Sequence, residues 1–328
     1  MKYYLGLDVG GTNLAAGVVD EEYQLISKAS IPAGAGRSIE EITTDMERVS
    51  RAAIQQAGLT VKDFDAWGIG MPSYVNPYTD LLVHANCFGW KNVPIYQYLE
   101  KKLPLKVFIE NDANCAALGE ALAGAAREEE NIIMLTLGTG VGGGVIIDKK
   151  IYCGGDMMGA ELGHVKLVYN GIPCTCGQKG CVEAYCSATA LIRQTKQAAE
   201  KNRASVLWEL CRGDIDSMEG KTLFDAVKLS DDTAKQVLEQ YVDYLSCAIS
   251  TYITLFRPNK IILGGGIAEA GDLLIEPLQQ KLLPNTFAGA EIGVPRIIKA
   301  KLGNDAGIIG AAFLEKYGVN RRRSQNDR

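Results

Sequence analysis

Glu161–Glu183 reads ELGHVKLVYNGIPCTCGQKGCVE, and the rest of the chain is best read outward from it. The stretch holds one of the two histidines and three of the nine cysteines, with a glutamate at each end. His164, Cys174, Cys176 and Cys181 supply one imidazole and three thiolates, the donor set of a closed structural zinc site. Taken singly, each cysteine reads equally well as a small core residue. Three of them within eight residues, starting ten positions after the histidine, do not. Gly177 and Gly180 permit the turns of a tight Cys-x-Cys-x4-Cys knuckle. Glu161 and Glu183 are not needed as ligands, so the knuckle is expected to hold them for another purpose.

The composition narrows the function classes. With 328 residues the chain is long enough for two lobes with buried cores, and its formal charge of −5 argues against a nucleic-acid binder. Its one dense basic run, Arg321–Arg323, falls in the expected frayed tail 319–328. No apolar run approaches the ~20 residues of a membrane span, and no signal-peptide pattern opens the chain. An odd number of irregularly spaced cysteines, with a zinc cluster among them, predicts a reducing, cytoplasmic setting.

Along the chain, buried strands repeatedly run into glycine turns. Tyr3–Val9 leads through Gly10-Gly11-Thr12 to a second strand over Leu14–Val19, and a third strand is predicted over Gln24–Ile31. Ser38 and Glu41 form a capping-box pattern ahead of a helical stripe of Ile42, Met46, Val49 and Ala53. A strand over Ala66–Met71 is followed by a long loop, Ser73–Pro94. Val107–Glu110 then delivers Glu110-Asn111-Asp112 to the head of a helix expected over Ala113–Ala126. An acid in that place is often no more than a cap. The strand Asn131–Leu137 enters Gly138-Thr139-Gly140-Val141-Gly142-Gly143-Gly144, with a further strand over Val145–Asp148. That loop has neither the Walker order nor a Rossmann fingerprint, because a strand follows it. Helices are predicted over Ser187–Asn202 and Asp231–Phe256, the apolar residues around Tyr241–Phe256 serving core or a homo-oligomer contact. Lys260–Leu263 reaches Gly264-Gly265-Gly266, and Gly303-Asn304-Asp305-Ala306-Gly307 opens a last helix ending near Tyr317.

Two glycine turns after buried strands suit backbone binding of a phosphate chain. Asp8 beside the first is placed for Mg²⁺, through water, since that ion keeps much of its hydration shell. Gly264–Gly266 leaves room for a flat ring such as the adenosine end of a nucleotide.

These motifs, in this order, resemble the ROK family of sugar kinases and sugar-responsive repressors, within the actin-like ATPase superfamily. The matching stretches are Asp8-Val9-Gly10-Gly11-Thr12-Asn13, Glu110-Asn111-Asp112, Leu137-Gly138-Thr139-Gly140, Glu161-Leu162-Gly163-His164, the cysteine knuckle with Glu183, Leu263–Gly266 and Asn304-Asp305-Ala306-Gly307. They are most like the bacterial glucokinases of that family. The resemblance implies a two-lobed α/β fold of actin-like (ribonuclease H-like) type with a zinc-binding insertion in the large lobe. The expected small lobe is 1–111, completed by the helix 305–318, and the large lobe is 112–304 with the knuckle at 164–181.

The resemblance also implies ATP, Mg²⁺ and structural Zn²⁺ as cofactors and a small-molecule sugar as substrate. Asp112 resembles the general base. Asn111, Glu161, His164 and Glu183 resemble sugar-hydroxyl ligands, and Asn86 is a further candidate from the long loop. Gly10, Gly11, Thr12, Asn13, Gly138, Thr139 and Gly140 would hold phosphates, with Gly264, Gly265 and Gly266 at the adenosine. Glucose is the expected sugar, with mannose, fructose, allose and N-acetylmannosamine as alternatives. A sugar-sensing repressor would carry a helix-turn-helix ahead of the first strand, where only Met1 and Lys2 stand. A zinc hydrolase would want an open metal position, which four N/S ligands fill.

Overall fold

The computed structural model describes residues 2–34, 36–85 and 87–318, so Asn86 and the expected tail 319–328 lie outside the described residues. The chain divides into two compact units. One comprises Met1–Ile133, Gly144–Ala160 and Lys301–Arg328, and the other Met134–Gly143 and Glu161–Ala300.

The first unit is built on strands β1 (Tyr3–Val9), β2 (Asn13–Asp20), β3 (Leu25–Pro32), β4 (Ala66–Met71) and β7 (Lys106–Asn111). Their order is β3-β2-β1-β4-β7, antiparallel from β3 to β1 and parallel across β1, β4 and β7. Leu5, Leu7 and Val9 are fully buried, as a central strand covered on its faces requires. The edge strand β3 instead alternates half-buried and exposed residues and ends in Pro32, which an edge tolerates.

Helix α1 (Ile39–Gln56) starts with the capping box read from the sequence, Ser38 and Glu41 each bonding the other's backbone N–H. Its stripe of Ile42, Met46, Val49 and Ala53 is buried. The long loop turns out to hold a two-stranded ribbon, β5 (Leu82–Ala85) and β6 (Trp90–Val93), followed by α2 (Ile95–Leu99). Its strands are too short for an alternating pattern to stand out among Asn and Gly residues.

Helix α3 (Asp112–Leu122) follows β7 directly and stops one turn earlier than the alanine run suggests. Buried Glu120 near its end accepts from Lys301 N–H at 2.8 Å, Leu302 N–H at 2.7 Å and Ala125 N–H at 2.7 Å. Those bonds turn the chain out of the helix and tie it to the segment leading into the last helices.

A second five-stranded sheet has the order β10-β9-β8-β11-β12, formed by β8 (Ile132–Leu137), β9 (Val141–Ile147), β10 (Lys150–Tyr152), β11 (Lys260–Gly264) and β12 (Arg296–Lys299). The division between the units passes through β8 and β9. Gly142–Gly144 belong to strand β9 rather than to the turn, which shortens the glycine loop to 138–140.

The second unit's helices are α4 (Glu183–Cys186), α5 (Ala188–Lys201), α6 (Leu207–Leu210), α7 (Gly220–Lys228), α8 (Asp232–Phe256), α9 (Asp272–Asn285) and α10 (Gly289–Ile292). Asp231 caps α8 by accepting from Ala234 N–H at 2.8 Å. The apolar face of α8 expected to serve subunit contact is core: Tyr241, Leu245, Ile249, Tyr252 and Ile253 are buried, and Leu255 is the large apolar side chain left exposed. Two of those tyrosines act as pins. Tyr241 Oη donates to Cys186 O at 2.6 Å, and Tyr252 Oη to Leu162 O at 2.5 Å.

The expected last helix is two, α11 (Asp305–Ala312) and α12 (Leu314–Tyr317), broken at Phe313. Helix α11 packs on β1, β4 and α3.

Candidate active site

The candidate residues fall into two groups, one in each unit. In the first, the parallel strands β1, β4 and β7 end at one edge of their sheet, the edge where α/β sheets place ligands. Asp8 pairs in register with Gly70, and Gly70 with Glu110, so Asp8 and the Asn111-Asp112 pair stand one strand apart at that edge. Gly10 N–H donates to Asn13 O at 2.9 Å and closes the β1–β2 turn, leaving Gly11, Thr12 and Asn13 exposed. Helix α11 comes close to Asp8: a Cβ on Gly307 would lie 2.9 Å from Asp8 Cγ.

Asn111, not Asp112, caps α3. Its Oδ1 accepts from Ala113 N–H at 2.9 Å and Asn114 N–H at 3.2 Å. Buried Glu110 Oε1 in turn takes Asn111 N–H at 2.9 Å and Asn114 Nδ2 at 3.0 Å, fixing the strand-to-helix junction. Asp112 is therefore presented at the junction without the burden of capping, its Oδ1 accepting the adjacent Ala113 N–H at 2.9 Å.

Burial pushes the Asp8 carboxyl up to about 7, with Asp112 adding repulsion and Lys28 opposing it. The Asp112 carboxyl is also raised, by burial first, against the pull of its hydrogen bond from Ala113 N–H. Two acids at one edge, both resisting ionisation, form a place where a cation would be welcome. Lys28 is partly engaged elsewhere, donating to Asp305 Oδ1 at 2.6 Å.

The raised Asp8 carboxyl has a thermodynamic sign. In the folded protein it keeps a proton between about pH 4 and about pH 7 that the unfolded chain has lost, so the folded state loses stability as pH rises through that window. Without added Mg²⁺ or nucleotide, the melting temperature should therefore fall relative to that of Asp8→Asn between about pH 4 and about pH 7. Parallel melting curves for the two proteins across that range would contradict the assignment.

The second group lies around the end of β8. Gly138 N–H donates to Gly140 O at 3.0 Å, forming the short turn. Gly265, at φ 81°, backs onto the same strand end, and a Cβ there would lie 2.6 Å from Leu137 O. The 138–140 and 264–266 glycine loops are thus brought side by side. Glu161 is exposed, and Leu162–His164 forms a single 3-10 turn held by Tyr252. Gly163 must be glycine, since a Cβ would stand 1.9 Å from Val141 O.

His164, Cys174, Cys176 and Cys181 converge, with one ligand atom from each lying within 4.8 Å of the others. Cys174 Sγ is 3.7 Å from His164 Nδ1, and Cys176 Sγ is 3.7 Å from Cys181 Sγ. Thiolates at the corners of a tetrahedron of 2.3 Å bonds stand about 3.8 Å apart, so this donor set suits a four-coordinate metal. All three cysteines are free of disulfides. Nδ1 faces the cluster, which leaves Nε2 as the nitrogen for any other partner. Lys166 Nζ lies 3.6 Å from Cys181 Sγ and 2.8 Å from Lys179 O, bringing a positive charge to the thiol-rich knuckle.

Glu183 is engaged through both oxygens. Oε1 accepts from Thr175 Oγ1 at 2.6 Å and Cys174 Sγ at 3.4 Å, and Oε2 from Val141 N–H at 3.1 Å. Glu110 and Thr175 lie inside motifs legible in the sequence but have no role assigned there, and Lys28 lies in none, because the partners that give these side chains their roles leave no trace in local spacing.

Comparison with known proteins adds the family. The ROK family model matches residues 4–317. The chain belongs to the ROK family. This ROK chain is 35% identical to the glucokinase of Thermotoga maritima, with 95% of this chain and 96% of that one covered. It is 31% identical to an N-acetyl-D-glucosamine kinase of Haemophilus influenzae, with 95% and 98% covered. Among solved structures, a ROK family glucokinase from Streptomyces griseus in complex with glucose and AMPPNP is 34% identical, with a TM-score of 0.78 and 95% and 98% coverage. No helix among the described residues of the ROK chain is long and apolar enough to cross a membrane.

Proposed function

We propose that this ROK protein is an ATP-dependent sugar kinase that phosphorylates glucose to glucose 6-phosphate. The observation that carries the reading is Asp112, an acid freed from capping and raised by burial, at the strand edge that also bears Asp8. Full-length similarity to glucokinases supports the same conclusion.

Asp112 acts as general base. Its carboxylate takes the proton from the 6-hydroxyl as that oxygen attacks the γ-phosphorus of ATP; the new O–P bond forms, the β,γ-bridging O–P bond breaks, and ADP leaves with the electron pair. A base with a raised pKa holds that proton more strongly than an ordinary carboxylate, which suits it to work nearer neutral pH. The other parts are positional, as phosphoryl transfer requires. The Gly10–Asn13 and Gly138–Gly140 turns, closed by the Gly10 and Gly138 N–H groups, offer their remaining backbone N–H groups to the phosphates, and Gly264–Gly266 receives the adenosine. Asp8 would hold Mg²⁺ through water, and the charge neutralisation that the ion would supply at the phosphates is what this carboxylate would contribute.

Asn111, Glu161, His164 through Nε2, and Glu183 are the proposed ligands of the remaining sugar hydroxyls, with Asn86 as a further one. Zinc is the proposed occupant of the cysteine knuckle, where its role is to stiffen the frame that carries His164 and Glu183. The unbridged cysteines are in keeping with a cytoplasmic setting. Two lobes, 1–111 with 305–318 and 112–304, remain the proposed functional division. A homo-oligomer is proposed on Leu255, Leu283, Phe287 and Ile292, apolar side chains left exposed in the second unit.

N-acetyl-D-glucosamine is the second reading, favoured by the relative that acts under that name. A coupled ADP-release assay over glucose, mannose, fructose, allose, N-acetylmannosamine and N-acetylglucosamine separates the two. Glucose should give the highest kcat/KM, and no turnover with any of these sugars would sink the kinase reading.

A further inference from the structure

Three hydrogen bonds tie the 138–141 turn to the segment that follows the cysteine knuckle. Ala188 N–H donates to Gly138 O at 2.7 Å, Thr189 Oγ1 to Thr139 O at 2.9 Å, and Val141 N–H to Glu183 Oε2 at 3.1 Å. Glu183 continues the connection, because its Oε1 takes the Thr175 hydroxyl at 2.6 Å. Thr175 stands between Cys174 and Cys176, so its position is set by the two residues that would ligate a metal on either side. Contact with the turn is also direct, since a Cβ on Gly140 would lie 2.5 Å from Glu183 Oε2.

These ties matter because of what the turn lacks. It carries no lysine, and its glycines cost more to order than other residues would. Backbone N–H groups bind phosphate well only when already aimed at it. Restraint must therefore come from outside the turn, and the knuckle supplies it through Glu183 while α5 supplies it through Thr189. The Thr175 hydroxyl is the closer of the knuckle's two donors to Oε1, at 2.6 Å against 3.4 Å for Cys174 Sγ.

We propose that Thr175, Glu183 and Thr189 are positioning residues for the phosphoryl donor, so that metal in the cysteine knuckle sets nucleotide affinity as well as sugar affinity. This rests on the reading of Gly138–Gly140 as a phosphate loop.

Thr175 and Thr189 are exposed and lie outside both the turn and the ligand set, so valine at either tests the coupling without touching the chemistry. The measurements are KM for ATP, KM for glucose, kcat, bound zinc, and affinity for a non-hydrolysable ATP analogue by calorimetry without sugar. Thr189→Val should raise KM for ATP and weaken the analogue by about 2–10-fold, the range for one lost hydrogen bond, with KM for glucose and zinc content unchanged. Thr189→Ser should restore wild-type values. Thr175→Val should weaken the analogue by a similar factor with zinc still bound, and stripping zinc from the folded wild-type protein should do the same. Unchanged analogue affinity in both valine variants and in the zinc-free protein overturns the proposal. Wild-type protein that binds no analogue at all would remove the phosphate-loop reading and this proposal with it.

Discussion

Asp112→Asn should lower kcat by about 10²–10⁴-fold, the usual contribution of a positioned general base, while the affinities for sugar and nucleotide change little. The substitution is nearly isosteric, and an amide cannot accept the hydroxyl proton. Folding should survive it because the helix cap is Asn111, whose Oδ1 holds Ala113 and Asn114 N–H groups. Removing the acid also removes one source of repulsion on Asp8, so the variant should be at least as stable as the parent at neutral pH. Steady-state kinetics together with calorimetric binding of glucose would check all three statements. A variant that retained wild-type kcat would count decisively against Asp112 as the base.

Cys176→Ala should weaken sugar binding by about 10–100-fold, the loss of one or two charge-assisted hydrogen bonds, and should lower the melting temperature by about 5 °C or more. The two losses are expected together for one reason. His164 Nδ1 and three sulfurs share one cluster, and Glu183 is bonded to Thr175 within the same knuckle. Taking away one sulfur leaves the histidine without a fixed ring orientation and lets the Thr175 loop relax. Cys176 is itself exposed, so the loss does not come from an emptied core. Folded, zinc-free protein that bound glucose normally would show that the knuckle is not the support proposed for these ligands.

Much of the scaffold was legible in the sequence because its signals are local. Strand β1, the capping box at Ser38 and Glu41, the long helix α8 and the cysteine knuckle each declare themselves within a few residues. What stayed hidden depends on partners distant in the chain. The α8 face around Tyr241 and Tyr252 reads as apolar stripe, and only the fold reveals that it is core and that their hydroxyls reach Cys186 and Leu162. Likewise the glycines 142–144 look like loop, yet pairing with neighbouring strands draws them into β9. Glu183 could be placed by motif, but its bond to Val141 N–H, forty-two residues away, has no trace in spacing. An acid at a helix start was ambiguous for the same reason: which of Asn111 and Asp112 caps is a matter of side-chain direction, not of composition.

That division of labour between neighbours at 111 and 112 has an evolutionary consequence. Because the asparagine secures the helix, exchanging the next residue for its near-isosteric amide removes no cap. On the proposed reading of Asp112 as base, a single replacement there would silence the chemistry while leaving the helix cap and the proposed sugar ligands in place. A scaffold arranged this way can pass from catalyst to sensor without first learning to fold again.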